Sequence, residues 1–497
     1  MRLNSILLEK LTRLLWAAVL VTLPVTSFRY FPFMGEGTMV RPLALYPLIL
    51  LATVMFVRLL RKEITLPLPG SLVPLAGFVL IALTTTVIGA LFTPVDLHGQ
   101  VYGGRAVRAW VTMIAGLAFF LTAIWMNRNQ DDLHHSLKWL YIGLALNIFW
   151  GGIQVLTFQT DLLDKHLVTL WQRAFSMREL VRTNRVSGLA YEPAWLAGQI
   201  ATLYLPWLFA ALMTRYRVSR FKWLEPLLLI STTLLLLMTY SRGGVLIAVV
   251  AAALTFILTG RALFSQVWYW FTSGFRAAHL PPWVKFRTWV IRLGSVLLLV
   301  IILVGVFLLL SQKNYFSRLW TTSAESLEEY LIENYAGSRI AYAWGAMQKF
   351  QDHPWTGVGL GASGFYIYQN LPDWALTTIP EIARQLSPTT NLYPNPKNLF
   401  IRLMTETGLP GFMLFMAFQF SVLANIHIAR HMRTMVIRFL GIAGLFSWLA
   451  IMLYCFTQDS FAFPNLWINL GLITGLLNSL NYPSTQLGLQ FATEVEV

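Results

Sequence analysis

Residues 224–259 have the sequence LEPLLLISTTLLLLMTYSRGGVLIAVVAAALTFILT. Two apolar runs flank a single arginine, Arg242, and each run is close to the length of about 20 residues that a helix needs to cross a bilayer. A charged side chain between two such runs is energetically unfavourable and usually functional. The stretch therefore predicts a membrane fold and makes Arg242 a candidate site residue.

The composition of the whole chain agrees with this prediction. Of its 497 residues, 56% are hydrophobic and only 12% are charged, whereas soluble proteins carry about 25% charged residues. This composition excludes an ordinary soluble fold, a disordered chain and a coiled coil. The single cysteine, Cys455, excludes an intrachain disulfide and a cysteine-based metal site.

Hydropathy predicts an all-α integral membrane protein with about twelve transmembrane helices. A large, mainly helical loop separates the ninth span from the tenth. The predicted regions are 1–311 with spans one to nine, 312–398 as an extracytoplasmic cap, and 399–497 with the last three spans and the tail, all within one membrane domain. The predicted spans are 14–28, 42–60, 71–92, 107–126, 138–158, 193–213, 223–240, 243–263, 289–311, 399–424, 437–457 and 465–481.

The net charge of +15 is explained by topology. Basic residues are concentrated in alternate loops, as in the run 214–222, and such loops face the cytoplasm. This pattern places both termini in the cytoplasm and makes nucleic acid an unsuitable partner. The segment 264–287 mixes aromatic and basic residues, which predicts contact with membrane lipids at the cytoplasmic interface.

Positive charge on the predicted outer face requires a different explanation. Arg339 follows Ser338, whose hydroxyl could cap a helix, and a helix start beside an arginine can hold an anion. Both arginines also have a non-functional explanation. Arg339 could lie on a solvated face of its helix, and Arg242 could extend its side chain from a helix end to the membrane interface. The arginines on this face are therefore candidates for binding an anionic substrate.

Two further features of the outer face are ambiguous. Glu192 precedes Pro193 at the start of span six, where an acid could act as a base or only complement the helix dipole. Residues 359–364 match G-x-G-x-x-G, but no strand–helix–strand unit surrounds them, so a dinucleotide site is rejected. Gly359 and Gly361 instead predict a tight turn against backbone or ligand. No histidine or acidic pair has metal-ligand spacing there, so no metal is expected.

Three blocks together resemble the O-antigen ligase and O-antigen polymerase superfamily. They are TYSRGG at 239–244, the residues from Gly337-Ser338-Arg339 to Trp344 followed by HPWTGVGLG at 353–361, and KNLFIRLMTETGLPG at 397–411. The resemblance covers about residues 180–480. It implies an enzyme of the cytoplasmic membrane that transfers a glycan from a polyprenyl-pyrophosphate carrier to a glycan or lipid acceptor, without cofactor or metal. A chain-length regulator is a possible partner protein.

The resemblance also assigns residue roles. Arg242 and Arg339 match the arginines thought to hold the pyrophosphate, and Tyr240, Ser338, Asn398, Gly359 and Gly361 lie in the same blocks as substrate-binding candidates. Ligases have a histidine, the proposed base, where this chain has Lys397. A lysine near its reference pKa of about 10.4 is protonated at neutral pH. Lys397 is therefore interpreted as a phosphate clamp, which favours a polymerase over a ligase.

The block RVSGLAYEP at 185–193 resembles one in polysaccharide polymerases and makes Arg185 a substrate-binding candidate and Glu192 the best alternative base. The base stays open among Glu192, Lys397, His353, Asp459 and none. A flippase for lipid-linked glycans is a rival from another class, but related halves and broken helices, common in transporters, are not evident. A peptidoglycan-type polymerase is a further rival, with Asp352 as its nearest acidic candidate.

Overall fold

The computed structural model describes residues 2–30, 40–92, 94–160, 162–178, 180, 184–276, 281–312, 314–317, 321, 324–326, 329–330, 332, 336–387, 389–390, 392–432 and 434–481. Within these residues the regular secondary structure is helical and no β-strand is present. The all-α prediction is therefore confirmed for this part of the chain.

The helices follow one another along the chain with short connections in most places. The first eleven are α1 Arg2–Thr22, α2 Leu45–Leu60, α3 Leu72–Gly89, α4 Tyr102–Trp125, α5 Gln130–Gln159, α6 Lys165–Arg173, α7 Pro193–Thr214, α8 Leu224–Met238, α9 Arg242–Thr259, α10 Arg261–Arg276 and α11 Pro282–Ser311. The later ones are α12 Asn314–Ser317, α13 Gly337–Asp352, α14 Ser363–Ile367, α15 Trp374–Thr378, α16 Pro380–Gln385, α17 Leu399–Arg430, α18 Met435–Tyr454 and α19 Ile468–Asn481.

Several of these helices are suited to a bilayer. Seven helices of the described chain are long and apolar enough to cross a membrane, and α2 and α8 are shorter apolar helices. A helix overlaps each of the twelve predicted spans, although α1 begins at Arg2 and ends at Thr22 where the sequence predicted 14–28. The protein thus has the character of a multi-pass membrane protein, and twelve spans and their orientation stay predictions.

The chain divides into two compact units, one formed by Met1–Ala251 with Ser338–Val497 and the other by Ala252–Gly337. In the first unit α17 packs on α3 and α18, and α4 packs on α19. The second contains α10 and α11, where Arg292 of α11 donates to the Phe271 carbonyl of α10 at 2.8 Å. Several aromatic side chains of α10 are exposed, including Trp268 and Tyr269. All the candidate site residues lie in the first unit.

Helix α17 is interrupted at Gly408. Gly408 has φ 64° and ψ −176°, outside the helical region, and Pro410 has no N–H to donate. The carbonyls of Thr405 and Glu406 therefore lose their partners within the helix, and a break of this kind requires others. The interruption creates acceptors that a second segment of the chain can satisfy.

Candidate functional site

The segment 353–361 binds into the break of α17. The amides of Val358 and Gly359 donate to the carbonyls of Thr405 and Glu406 at 2.9 and 3.0 Å. Leu409 in turn donates to the Pro354 carbonyl at 2.7 Å. The second and third motif blocks are therefore one structural unit, because each supplies the backbone partners that the other lacks.

A buried ion pair lies one turn before this break. Arg402 Nε is 3.0 Å from Glu406 Oε2, and the two side chains are only 10% and 2% exposed. The other carboxylate oxygen of Glu406 accepts from Ser363 Oγ at 2.8 Å, and Arg402 Nη1 donates to the Asp459 carbonyl at 2.5 Å. Paired and hydrogen-bonded charges of this kind are tolerated in an apolar interior. The pair fixes the start of α17 against the segment around residue 459.

A second, more exposed ion pair lies immediately before α17. Lys397 Nζ is 3.3 Å from Glu381 Oε1, and the side chains are 29% and 40% exposed. The Glu381 carboxylate also accepts from Ser338 Oγ at 3.1 Å and from Gln385 Nε2 at 2.8 Å. Lys397 Nζ lies 5.1 Å from the centre of the Tyr342 ring. These contacts join α13, α16 and the start of α17 around one lysine.

The charge balance of this pair is visible in the pKa of Glu381. Burial raises the pKa of the Glu381 carboxyl. The Lys397 charge and the hydrogen bonds from Ser338, Lys397 and Gln385 lower that pKa by more, so it lies below its ordinary value. Burial and the Glu381 charge raise the pKa of the Tyr342 phenol. Glu381 is therefore an ionised carboxylate whose charge Lys397 holds.

The backbone of Lys397 is held in place independently of its side chain. Its φ of 53° lies in the left-handed region, which is uncommon for a residue other than glycine. The Lys397 amide donates to Asp459 Oδ2 at 2.8 Å. Two residues later, the Leu399 amide donates to the Cys455 carbonyl, also at 2.8 Å. Strained backbone held by surrounding contacts is typical of functional sites.

Arg339 reaches the same 455–459 segment from α13. Its Nη1 donates to the Thr457 carbonyl at 2.5 Å, and the side chain is exposed. Ser338 lies within the first turn of α13, where its hydroxyl donates to Glu381, whereas the sequence predicted a helix cap. Arg339 and Lys397 thus both bind one short segment, and Ser338 is linked to Lys397 through Glu381, as a shared substrate site would require.

Glu192 is linked to this group by electrostatic interactions. It occupies the N-cap position of α7 without a side-chain capping bond, and Pro193 is in the first turn as predicted. Tyr454, at the end of α18, interacts electrostatically with both Glu192 and Arg339. Arg178 faces Glu192, and burial lowers the pKa of its guanidinium while Glu192 opposes that shift. Glu192 therefore lies near the Arg339 side of the site, beside a second arginine.

The first motif block forms a separate group. Arg185 Nε donates to the Thr239 carbonyl at 2.9 Å, and Tyr240 is buried with φ 47°. Arg242 is the first residue of α9, and the tight packing of Gly244 on Ala197 fixes this start beside α7. Helix α7 begins just after Glu192, so it connects the group containing Arg242 with Glu192.

Gly359 and Gly361 lie at a packing contact. Both have positive φ, 95° and 87°, and a Cβ on Gly359 would lie 2.1 Å from the Tyr102 hydroxyl of α4. A Cβ on Gly361 would lie 2.7 Å from the Arg105 carbonyl. The predicted tight turn therefore approaches the backbone of α4, and substrate contact by these glycines stays a prediction. His353, another candidate base, packs on Phe92 with 4.7 Å between ring centres.

The structure brings some predicted residues together and adds others. Arg339 and Lys397 both bind 455–459, Ser338 joins them through Glu381, and Glu192 interacts electrostatically with the neighbouring Tyr454. Asn398 uses its side chain to cap α17 by accepting from Phe400 and Ile401. Sequence reasoning gave no role to Glu381, Tyr342 or the Arg402–Glu406 pair. The spacing of four residues between Arg402 and Glu406 could have indicated a helical ion pair. Glu381 carried no local signal, since its partners lie on other helices.

Comparison with known families agrees with the motifs. Residues 227–416 match the family model described as O-antigen ligase, a range shorter than half of the chain. This region resembles the O-antigen ligase family. The range contains Arg242, Arg339 and Lys397 but excludes Glu192 and Arg185. The family is associated with glycosyltransferase-like enzymes of the O-antigen ligase and polymerase type, which work on lipid-linked glycans and acceptors. No curated protein matches the chain.

Proposed function

We propose that the protein is a metal-independent glycosyltransferase that joins polyprenyl-pyrophosphate-linked glycan repeat units on the outer face of the cytoplasmic membrane. The observation that carries this proposal is that Arg339 and Lys397, from two motif blocks, both bind the short segment 455–459, Arg339 through its guanidinium and Lys397 through its backbone amide. The Lys397 ammonium pairs with Glu381, which also accepts from Ser338, the residue before Arg339. A guanidinium and an ammonium joined through these contacts are suited to a pyrophosphate. The match to the O-antigen ligase family supports the same reaction class.

The proposed reaction depends on stabilising the leaving group. When the anomeric carbon separates from the carrier, negative charge grows on the pyrophosphate oxygens. Arg339 and Lys397 offer positive charge for those oxygens, and the motif resemblance assigns the same role to Arg242. Preorganised charge of this kind is often the largest catalytic contribution. Arginine is suited to this role because its planar fork binds phosphate bidentately and stays ionised.

Polymerase activity is proposed over ligase activity because of Lys397. A histidine at this position could take a proton from an acceptor hydroxyl, whereas the Lys397 ammonium is held by Glu381 and donates rather than accepts. A repeat unit carried on a second lipid is therefore the proposed acceptor. Transfer to a lipid A core is the second candidate, favoured by the description of the matching family as O-antigen ligase.

The test is transfer by the purified full chain in lipid nanodiscs without added metal. A carrier-linked repeat unit extracted from host cells lacking the protein serves as donor, and either the same carrier-linked unit or a lipid A core serves as acceptor. A ladder of longer carrier-linked chains supports the polymerase, and a single transfer to the core supports the ligase. In sealed vesicles, movement of the lipid-linked glycan across the bilayer without elongation would support a flippase instead.

Variants of the two arginines test the proposed pyrophosphate clamp. Arg339→Ala and Arg242→Ala should each lower kcat by about 10²–10³-fold, the loss typical when one group stabilising transition-state charge is removed. Arg217→Ala is the matched control, because Arg217 is exposed and lies in the run 214–222, outside the three motif blocks. A double variant of Arg242 and Arg339 with wild-type activity would contradict the clamp.

A further inference from the structure

Glycosyl transfer to a hydroxyl also requires an acceptor for the hydroxyl proton, and this inference rests on the proposed function. Four carboxylates lie around the site in the described chain. The Glu406 carboxylate is buried and fully engaged by Arg402 and Ser363, and Asp459 Oδ2 accepts from the Lys397 amide. Glu192 faces Arg178. Glu381 differs because 40% of its side chain is exposed and its charge partner is a lysine, whose long side chain is flexible.

The contacts of Glu381 suit a carboxylate that changes partner. Ser338 and Gln385 hold its two oxygens in place, at 3.1 and 2.8 Å, independently of Lys397. Lys397 is the contact that can move, because a lysine side chain is a flexible stem with a point charge. Ser338 is directly followed by Arg339, so the carboxylate lies next to the residue that we propose holds the pyrophosphate.

We propose that Glu381 is the general base for the acceptor hydroxyl and that Lys397 exchanges the Glu381 carboxylate for the pyrophosphate of the bound donor. The acceptor oxygen forms the bond to the anomeric carbon while the bond from that carbon to the phosphate oxygen breaks. The pyrophosphate keeps the electron pair, and the hydroxyl proton moves to a Glu381 oxygen, from which it passes to water. No redox partner is involved.

The same exchange makes Glu381 a stronger base when the donor is bound. Among the described residues, the titratable groups that face it are Lys397 at the start of α17 and Tyr342 of α13, and Tyr342 is neutral. Burial raises the pKa of Glu381 and Lys397 opposes that shift. When the ammonium turns to the pyrophosphate, the effect of burial remains and the proton affinity of the carboxylate increases. Donor binding and base activation are thereby coupled through one lysine.

The experiment measures kcat and KM for the carrier-linked donor across pH, with the wild type and Glu381→Gln in nanodiscs. The variant keeps an oxygen for Ser338 or Lys397 but cannot take a proton. We expect kcat to fall by at least about 10²-fold, the typical contribution of general base catalysis. We expect KM for the donor to stay equal or fall, because Lys397 no longer has a competing carboxylate. The decrease of kcat at acidic pH that the wild type shows should be absent in Glu381→Gln.

Two further variants separate catalysis from structure. Glu381→Ala should recover activity with added formate, since a small carboxylate can occupy the vacated place beside Lys397. Asp373→Asn is the matched control, because Asp373 is an exposed acid at the start of α15 whose side chain makes no capping bond. This control should keep the wild-type kcat and pH profile.

The outcomes distinguish this inference from the proposed function. A wild-type ladder together with an unchanged pH profile in Glu381→Gln would overturn the base and leave the polymerase in place. The same holds if KM rises in proportion to the loss of kcat and formate gives no recovery, which would indicate a structural role. Loss of the acidic limb in Glu192→Gln instead would assign the base to Glu192. Absence of any product from the wild type would overturn both proposals.

Discussion

Two acid–base pairs flank the start of α17 and differ mainly in burial. Arg402–Glu406 lies inside the bundle, with side chains 10% and 2% exposed, whereas Lys397–Glu381 lies just before the helix, with side chains 29% and 40% exposed. The first pair is held within one helix and has further hydrogen bonds on both sides. The second joins two parts of the chain that are separate in sequence.

The difference shows how one stretch of sequence can serve as both scaffold and site. A buried pair cannot give up a partner, because the remaining charge would be stranded in an apolar interior. An exposed pair can exchange its partner for an external anion, because water stabilises the intermediate states and the pair itself contributes little. The buried pair therefore holds the backbone on which the exposed lysine is presented.

Arg402→Ala is the strongest test of this comparison. Removing one partner of a buried pair costs about 3–5 kcal/mol, since Glu406 is left with Ser363 as its remaining side-chain donor. We expect a loss of that size in the free energy of unfolding, measured by denaturant titration in detergent. Arg384→Ala, at the end of α16, is the matched control and should change stability by less than about 0.5 kcal/mol. If both variants lost the same amount of unfolding free energy, the burial of Arg402 would not explain its contribution to stability.

Much of this architecture could be predicted from the sequence. The apolar runs indicated helices at each of the predicted spans, since length and hydrophobicity alone determine that property. The motif blocks indicated Arg339 and Lys397, which the structure brings to one segment. The partner of Lys397 could not be predicted, because Glu381 is separated from it by sixteen residues and paired by tertiary packing. The docking of 353–361 into the α17 break depended on Gly408 and Pro410 together, whose combined effect on the backbone becomes clear only with both segments in place.

Gly359→Ala tests the backbone contacts around the buried Arg402–Glu406 pair. Gly359 donates its amide to the Glu406 carbonyl, and its φ of 95° together with a Cβ position 2.1 Å from the Tyr102 hydroxyl leaves no room for a side chain. Strained backbone alone costs about 1–3 kcal/mol, so we expect a loss of about 2 kcal/mol or more in unfolding free energy. In Gly70→Ala, where a Cβ meets nothing within 4 Å, stability should stay within about 0.5 kcal/mol of the wild type. A neutral Gly359→Ala would mean that the docked segment is not needed to complete the α17 break.

Asn398→Ala probes the boundary between the two pairs. The Asn398 side chain accepts from the amides of Phe400 and Ile401 at 3.0 and 3.2 Å and so caps α17 between Lys397 and Arg402. Loss of a helix cap typically costs about 1 kcal/mol, and thermal unfolding should show a correspondingly lower Tm. Asn398→Asp keeps an accepting oxygen and should retain the wild-type Tm. If the aspartate variant is as unstable as the alanine variant, the side chain does more than cap the helix.

Glu381→Gln should have the smallest effect on stability, although we propose that it has a large effect on transfer. A partly exposed ion pair contributes less than about 1 kcal/mol, and Ser338 can still donate to the glutamine oxygen. Because the pKa of Glu381 is lowered in the folded protein, its contribution is present above the pKa of the unfolded chain and is lost as the pH falls through the lowered value. The stability difference between wild type and variant should therefore shrink from neutral to acidic pH, as measured by denaturant titration at each pH. A difference as large as that of Arg402→Ala, or one that grows on acidification, would mean that the exposed pair is as fixed as the buried one and cannot release Lys397 to a substrate.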